Sequence, residues 1–169
     1  LNFICKVYLT VIRGTPVVVQ ILIIYFIVFQ SSNAQIPIAA LAFGINSGAY
    51  VAEIFRSGIM SIDIGQNEAG RSLGFNYAQT MIYIIVPQAF KNVIPTLGNE
   101  FISLIKETSV VSFVGAADLY VAFNYIGSNS YEFMVPYLVM ALIYIALVLI
   151  ISLLIKLMER SLKKSDRRN

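Results

Sequence analysis

Long apolar segments are the feature that most constrains what this chain can fold into. Of its 169 residues, 58% are hydrophobic and only 12% are charged, whereas a soluble domain has about 25% charged residues. A helix needs about 20 mostly apolar residues to cross a bilayer, and several stretches reach that length. The sequence therefore predicts an all-α membrane protein.

Four segments are predicted to cross the membrane. They are residues 4–29, 37–59, 82–114 and 133–158. The first is interrupted by "RGTP" at Arg13–Pro16, and both sides of the break must contribute because residues 17–29 are too few to span. The third is over-long, which predicts a tilt or a bend.

The distribution of Lys and Arg predicts the orientation of these segments. The connections 30–36 and 115–132 contain neither, and the tail "KLMERSLKKSDRRN" holds six of the twelve. Of the other six, Lys6 and Arg13 lie near the start, and Arg56, Arg71 and Lys91 lie around the middle loop. Lys106, within the third span, is the exception. The positive-inside rule then places both ends and the loop 60–87 in the cytoplasm. The basic tail is interpreted as a topology anchor at the lipid surface and not as a nucleic-acid site.

Composition excludes several kinds of chemistry. The chain has no histidine, and Cys5 is its only cysteine, so a disulfide framework and a CxxC metal site are excluded. It has no G-x-x-x-x-G-K-[ST] motif, so it cannot cradle nucleotide phosphates itself. We expect no cofactor and no metal bound by this chain.

Small residues recur at i+4 spacing along the second span, at Ala40, Gly44, Gly48 and Ala52. Such a stripe lets another helix approach closely, and close packing drives helix association in lipid. The stripe predicts a tightly packed bundle, either within the chain or with a second subunit.

The loop between the second and third spans contains a short polar helix with start and stop signals. Asp63 is a candidate N-cap, with Gln66 three residues later as its reciprocal partner. Gly74 is a candidate helix stop, because glycine adopts the left-handed conformation at little cost. Pro87 is expected in the first turn of the next helix, where its missing N–H is harmless.

The spacing in this loop resembles the signature loop of ABC importer permeases. That pattern is Glu-Ala-Ala, three residues, Gly, nine residues, Ile, any residue, Leu-Pro. The matching positions here are Glu68, Ala69, Gly70, Gly74, Ile84, Val86 and Pro87. Gly70 replaces a small residue and Val86 replaces Leu.

Three further stretches are similar to the polar amino-acid branch of that family, which includes permeases for His, Glu, Gln, Arg and opines. They are "RGTPVVVQ" (13–20), "NSGAYVAEIFRSGI" (46–59) and "GNEFISLIKETSVVSFVG" (98–115). The resemblance covers nearly the whole chain. Family members usually carry one more N-terminal helix, five in all, so we expect 1–169 to be a single transmembrane domain truncated at its N-terminus.

The resemblance implies a multi-pass permease in the bacterial plasma membrane. Such permeases pair with a second copy or a paralogue, and an extracellular or periplasmic binding protein delivers the amino acid. A dimer of ATP-binding cassette subunits, which carry ATP and Mg²⁺, docks in the cytoplasm. The loop helix would be the coupling helix that moves with the ATPase. Its ATPase-coupling residues would be Glu68, Ala69, Gly70, Arg71, Gly74 and Pro87.

Polar residues inside the membrane are expensive and are therefore candidates for a substrate path. Asn99, Ser103 and Lys106 fall at i, i+4 and i+7, on one stripe of a helix. Lys106 and Glu107 supply opposite charges for the two ends of an amino acid. Asn46 and Ser47 lie near the middle of the second span. The alternative is that these residues tie helices together, as we expect for Glu53 and Arg56, an i, i+3 pair.

Other function classes remain open from the residues alone. An ATP-independent channel or an ion-coupled carrier would use the same intramembrane charges, and a structural membrane subunit would use none. A membrane enzyme is less favoured, because the chain lacks histidine and a metal-ligand cluster as catalytic groups. The acidic residues of the outer connection, Asp118 and Glu132, hint at a cationic substrate.

Overall fold

The computed structural model describes the backbone of residues 2–166 and the side chains of residues 2–160. This part of the chain is helical with short connections, as the composition predicts. Its α-helices are α1 (Asn2–Gly14), α2 (Val17–Ile23), α3 (Gln35–Met60), α4 (Ile64–Ser72), α5 (Tyr77–Thr80), α6 (Val86–Glu107), α7 (Leu119–Ser130) and α8 (Met134–Asp166). Two π-helical turns, Ile24–Val28 and Met81–Ile85, follow α2 and α5, and a 3₁₀ turn, Thr108–Val114, follows α6. The last residues of the basic tail lie outside the described residues.

The candidate membrane spans number two to four in the described part of the chain. Helix α3 and residues Met134–Arg160 of α8 are each long and apolar enough to cross a bilayer. Two further spans arise if two bent pairs each count as one: α1 with Val17–Val28, and Tyr77–Val114 with α7. The prediction of an all-helical membrane protein with about four spans is confirmed.

The predicted break at "RGTP" is a sharp corner. The pair α1 and Val17–Val28 is bent by 108°. Pro16 stands at the N-cap of α2 with extended backbone (φ −61°, ψ 139°), a conformation that suits proline and cannot continue a helix. The first predicted span is therefore two helices meeting at a corner and not one interrupted helix.

Pro87 lies in the first turn of α6, as predicted. The helical segment itself begins ten residues before Pro87, at a capping box in which Asn76 and Gln79 exchange two hydrogen bonds of 2.9 Å. The N–H of Val86 donates to Met81 O, five residues back, at the end of the π turn. Proline has no N–H to continue the ladder, and here its missing donor falls where the hydrogen-bond register returns from π to α.

A helix within the connection between the third and fourth predicted spans was not anticipated. Residues 115–132 contain α7, which begins at Asp118, whose carboxylate accepts from Val121 N at 2.7 Å. Glu132 Oε1 accepts from Met134 N at 2.8 Å at the start of α8. Both carboxylates are helix caps, so they give no separate support for a cationic substrate.

The chain divides into two compact units. One combines the chain up to Tyr50 with Phe101–Ser152, and the other combines Val51–Glu100 with the chain from Leu153 onward. The core of the first contains Ile21, Ala39, Ala42 and Val114. In the second, Val93 is buried and its Cγ2 lies 2.3 Å from where a Cβ on Gly58 would stand.

The predicted stripe of small residues on α3 differs from the positions that are buried within the described chain. The buried positions on the N-terminal half of α3 are Ile38, Ala39, Ala42, Asn46 and Ala49, none of which belongs to the predicted stripe. Ala40, Gly44, Gly48 and Ala52 are all exposed, and a Cβ added at Gly48 would stand 3.2 Å from Tyr8 Oη. Close packing along this stripe, including packing against a second subunit, stays a prediction.

Candidate functional site

The start and stop signals of α4 are confirmed. Asp63 Oδ1 accepts a hydrogen bond from Gly65 N at 2.7 Å, which satisfies one of the free donors of the first turn. The chain leaves the helix through Gly74, whose φ is +85°, a left-handed conformation that a side chain would strain. Between these signals lies a nine-residue helix.

Gln66 does not complete the predicted capping box at Asp63. Its Oε1 instead accepts a hydrogen bond from Gln88 Nε2 at 3.0 Å. Gln88 Nε2 also donates to Ile84 O at 2.9 Å. A residue predicted to stabilise α4 locally thus contacts the next long helix, 22 residues away in sequence.

Gly70 is the buried residue of α4. A Cβ added there would stand 2.7 Å from Thr80 Cγ2 and 3.0 Å from Ile84 Cδ1, closer than side chains tolerate, and Thr80 itself is fully buried. The lack of space for a Cβ therefore explains why glycine occupies the third position of the Glu-Ala-Gly motif in this chain. It lets α4 approach the Tyr77–Ile85 segment closely.

The other side of α4 borders an open groove of about 700 Å³. It is lined by Ile64, Asn67, Glu68, Arg71, Phe75, Asn76 and Tyr77. Glu68 and Arg71 are exposed, and within the described residues neither side chain forms a hydrogen bond or an ion pair. The groove thus offers two opposite unpaired charges, and a partner surface can complement both.

Exposed apolar side chains surround these charges. The exposed fractions are 78% for Ile64, 74% for Leu73 and 69% for Tyr77. An aromatic or aliphatic anchor beside charged groups is the composition of a protein interface. Asn67, Asn76 and Tyr77 line the groove but were not among the predicted site residues. The Asn76–Gln79 spacing was the signal that could have revealed the turn which brings them there.

The predicted substrate-path residues on α6 share one stripe of the helix. Asn99 and Lys106 are exposed and Ser103 is half-buried. Lys106 lies in the last turn, and Glu107 ends α6 at the N-cap position of the 3₁₀ turn, where its side chain makes no capping hydrogen bond. These side chains remain accessible along α6, which a substrate path requires.

Asn46 is committed to a different interaction. It is 3% exposed, and its Nδ2 donates to Gln20 Oε1 at 3.0 Å. Gln20 Nε2 in turn donates to Ile12 O, Thr15 O and Thr15 Oγ1 at 2.7, 3.0 and 2.8 Å. This network provides hydrogen bonds to backbone carbonyl groups at the "RGTP" corner. It gives Asn46 a structural role that requires no substrate. Ser47 beside it is half-buried.

The predicted pair within α3 is confirmed. Arg56 Nε donates to Glu53 Oε2 at 2.8 Å, and a second bond joins Arg56 Nη2 to Glu53 Oε1. Because Arg56 is largely exposed, an ion pair of this kind adds little to stability.

Comparison with known proteins agrees with the resemblance. The family of binding-protein-dependent transport system inner membrane components matches residues 1–164. The arginine transport system permease protein ArtQ of Bacillus subtilis is 41% identical over 97% of this chain and 76% of its own length. The L-cystine transport system permease protein TcyB of the same organism is 40% identical over 97% of this chain and 71% of its own length.

A solved structure extends the likeness to three dimensions. The crystal structure of an amino acid ABC transporter with histidines matches with a TM-score of 0.85 and 46% identity, over 92% of this chain and 74% of that one. The fold, the capped loop helix and these relatives lead to one conclusion. The chain belongs to the family of binding-protein-dependent transport system inner membrane components, as the permease subunit of an amino acid ABC importer.

Proposed function

We propose that this permease moves a polar amino acid by alternating access and that α4 is its coupling helix. The observation that carries the proposal is the side of α4 that borders the groove, where Glu68 and Arg71 have no partner among the described side chains and lie beside the exposed Ile64 and Tyr77. A short helix that is capped at its start, stopped by Gly74 and uncovered on one side has the features of a docking element. The relatives named for arginine and L-cystine transport support a polar amino acid as substrate.

The energy must come from partner subunits. A dimer of ATP-binding cassette subunits would hold ATP and Mg²⁺ and would receive α4 of each permease copy. ATP shifts a transporter between two states only if it binds one of them better. Closure of the ATPase dimer would therefore favour the permease state that fits the closed dimer. A binding protein outside would deliver the amino acid, and a second permease copy or paralogue would complete the path.

For the substrate path we retain the stripe on α6. Asn99, Ser103 and Lys106, with Glu107 at the helix end, offer a cation, an acceptor and two neutral partners for a zwitterion. Ser47 remains a further candidate, and we assign Asn46 to the corner network. Uptake measured after replacing Asn99, Ser103 and Lys106 by alanine tests the assignment. We expect a large rise in KM, and an unchanged KM would contradict it.

Crosslinking tests the coupling role of α4. Arg71→Cys is placed in a chain in which Cys5→Ser removes the exposed native cysteine. This permease is co-expressed with its ATPase subunits, each with one cysteine near its permease-facing surface. We expect a crosslink whose yield changes when ATP is added.

A matched cysteine at Asn33 provides the control, because this residue lies in an outer connection and should not crosslink. Absence of any Arg71→Cys crosslink, with both subunits present and folded, would contradict the proposed coupling role.

A further inference from the structure

A coupling helix needs a connection that carries its displacement into the membrane. Only four residues, 73–76, join α4 to α5, and Gly74 among them has a positive φ. A push on α4 could simply bend this connection. The side-chain contacts of α4 decide whether that happens.

Helix α4 has two differently engaged faces. Gln66 and Gly70 are four residues apart and share one face, which contacts Gln88, Thr80 and Ile84. Glu68 and Arg71 belong to the other side, which borders the groove. One face is therefore free for a partner while the opposite face contacts the following helical segment.

The direction of the Gln66–Gln88 hydrogen bond is fixed by geometry. The carbonyl oxygen of Ile84 can only accept, so the amide atom of Gln88 that lies 2.9 Å from it is the NH₂ group. The same NH₂ lies 3.0 Å from Gln66, so Gln66 must be the acceptor. A carboxylate can replace an acceptor but cannot replace a donor.

The second contact is steric. Thr80 is fully buried, and its Oγ1 has no hydrogen-bond partner among the described residues. It stands 2.8 Å from where a Cβ on Gly70 would be. Backbone and side chain are thus in direct contact, and packed interiors transmit strain because they compress little.

We propose that Gln66, Gly70, Thr80 and Gln88 form a link that carries the movement of α4 into the cytoplasmic end of α6. These are positioning residues, and the inference rests on the proposed coupling role of α4. With the link intact, α4 and the first turns of α6 move together. When the link is broken, the ATPase still docks and hydrolyses ATP, but fewer hydrolysis events change the conformation of the permease.

Two substitutions of similar size test the link. The full importer is reconstituted in lipid vesicles with its ATPase and binding protein, and the amino acid transported per ATP hydrolysed is measured. We expect Gln66→Glu, which keeps the acceptor, to stay near the wild-type ratio. We expect Gln88→Met, which has no NH₂ group to donate to Gln66, to lower the ratio at least about fivefold, the factor that one net hydrogen bond gives in an equilibrium constant.

A matched control lies a short distance along α6. Asn92 Nδ2 donates to Ser61 Oγ at 2.9 Å, a bond of the same type that does not involve α4. Asn92→Leu should keep the wild-type ratio. Equal ratios in Gln88→Met and wild type would overturn the inference, and so would an equal loss in Asn92→Leu.

A crosslink keeps the inference testable if Gln88→Met fails to assemble. Gln66→Cys and Gln88→Cys, in a chain with Cys5→Ser, are joined by a short bifunctional maleimide. We expect the joined permease to keep ATP-driven uptake, because the two residues move together. Loss of uptake on joining would overturn the link. Absence of the crosslink in the Arg71→Cys importer, together with absence of ATP-driven uptake by the wild-type importer, would instead contradict the proposed function.

Discussion

At the scale of single residues, helix propensity and side-chain packing favour different residues at position 70, which is occupied by Gly70. Alanine is the better helix former by up to about 1 kcal/mol. Its methyl group would press on Thr80 at 2.7 Å, and overpacking of that kind costs about 1–3 kcal/mol. We expect the steric cost of the methyl group to exceed its gain in helix propensity, because Thr80 is fully buried and has little room to move.

The net effect of Gly70→Ala on stability should change sign when the Thr80 side chain is shortened. We expect Gly70→Ala to lower the thermal stability of the purified permease, and to raise it in a chain that already carries Thr80→Ala. Unfolding of the four variants in one detergent measures the coupling between the sites. If Gly70→Ala has the same effect in both backgrounds, the contact does not explain the glycine.

The network at the "RGTP" corner gives a second prediction at this scale. Asn46→Leu leaves Gln20 Oε1 buried without its donor, a loss of about 1–3 kcal/mol in unfolding free energy. Gln20→Leu removes the bonds to Ile12 and Thr15 as well, so it should cost more.

Because the two side chains share one hydrogen bond, the double variant should lose less than the sum of the single losses. Thermal unfolding measures all three. Strictly additive losses would show that Asn46 and Gln20 act independently, and would reopen a substrate role for Asn46.

At the scale of elements, the stability of α4 should depend on its cap. Removing an N-cap costs a helix about 1 kcal/mol, so Asp63→Ala should accelerate amide hydrogen exchange in Ile64–Ser72 by about fivefold. Asp63→Asn keeps an acceptor for Gly65 N and is the control. Mass spectrometry of peptides from the loop measures the exchange in both variants. Unchanged exchange in Asp63→Ala would mean that the contacts to Thr80 and Gln88 hold α4 without its cap.

At the scale of the whole molecule, the charge asymmetry predicts which surfaces face outward. In a chain with Cys5→Ser, a cysteine at Asn33 or Asn129 should react in intact cells with a maleimide that cannot cross the membrane. Arg71→Cys should react only after the membrane is permeabilised. The opposite pattern would reverse the predicted topology.

Much of this fold follows from local sequence pattern. The length of apolar runs located α3 and α8, and the same pattern placed the segment that contains α6, because a membrane span depends on composition over about 20 consecutive residues. Asp63 and Gly74 were identified because capping and left-handed turns depend on residues within one helical turn of each other. The pair of Glu53 and Arg56 was found for the same reason.

The remaining features depend on partners far apart in sequence. The sequence could not show that Gln66 pairs with Gln88 instead of Asp63, that Asn46 pairs with Gln20, or that α3 buries Ala39 and Ala42 instead of Ala40 and Gly44. It also could not foresee the π turn at Met81–Ile85, which lies between α5 and α6. The sequence by itself determined the membrane class, the spans and the capped loop, since these depend on near neighbours. Only the tertiary structure decided which face of each helix is covered, because that choice depends on which distant side chains meet.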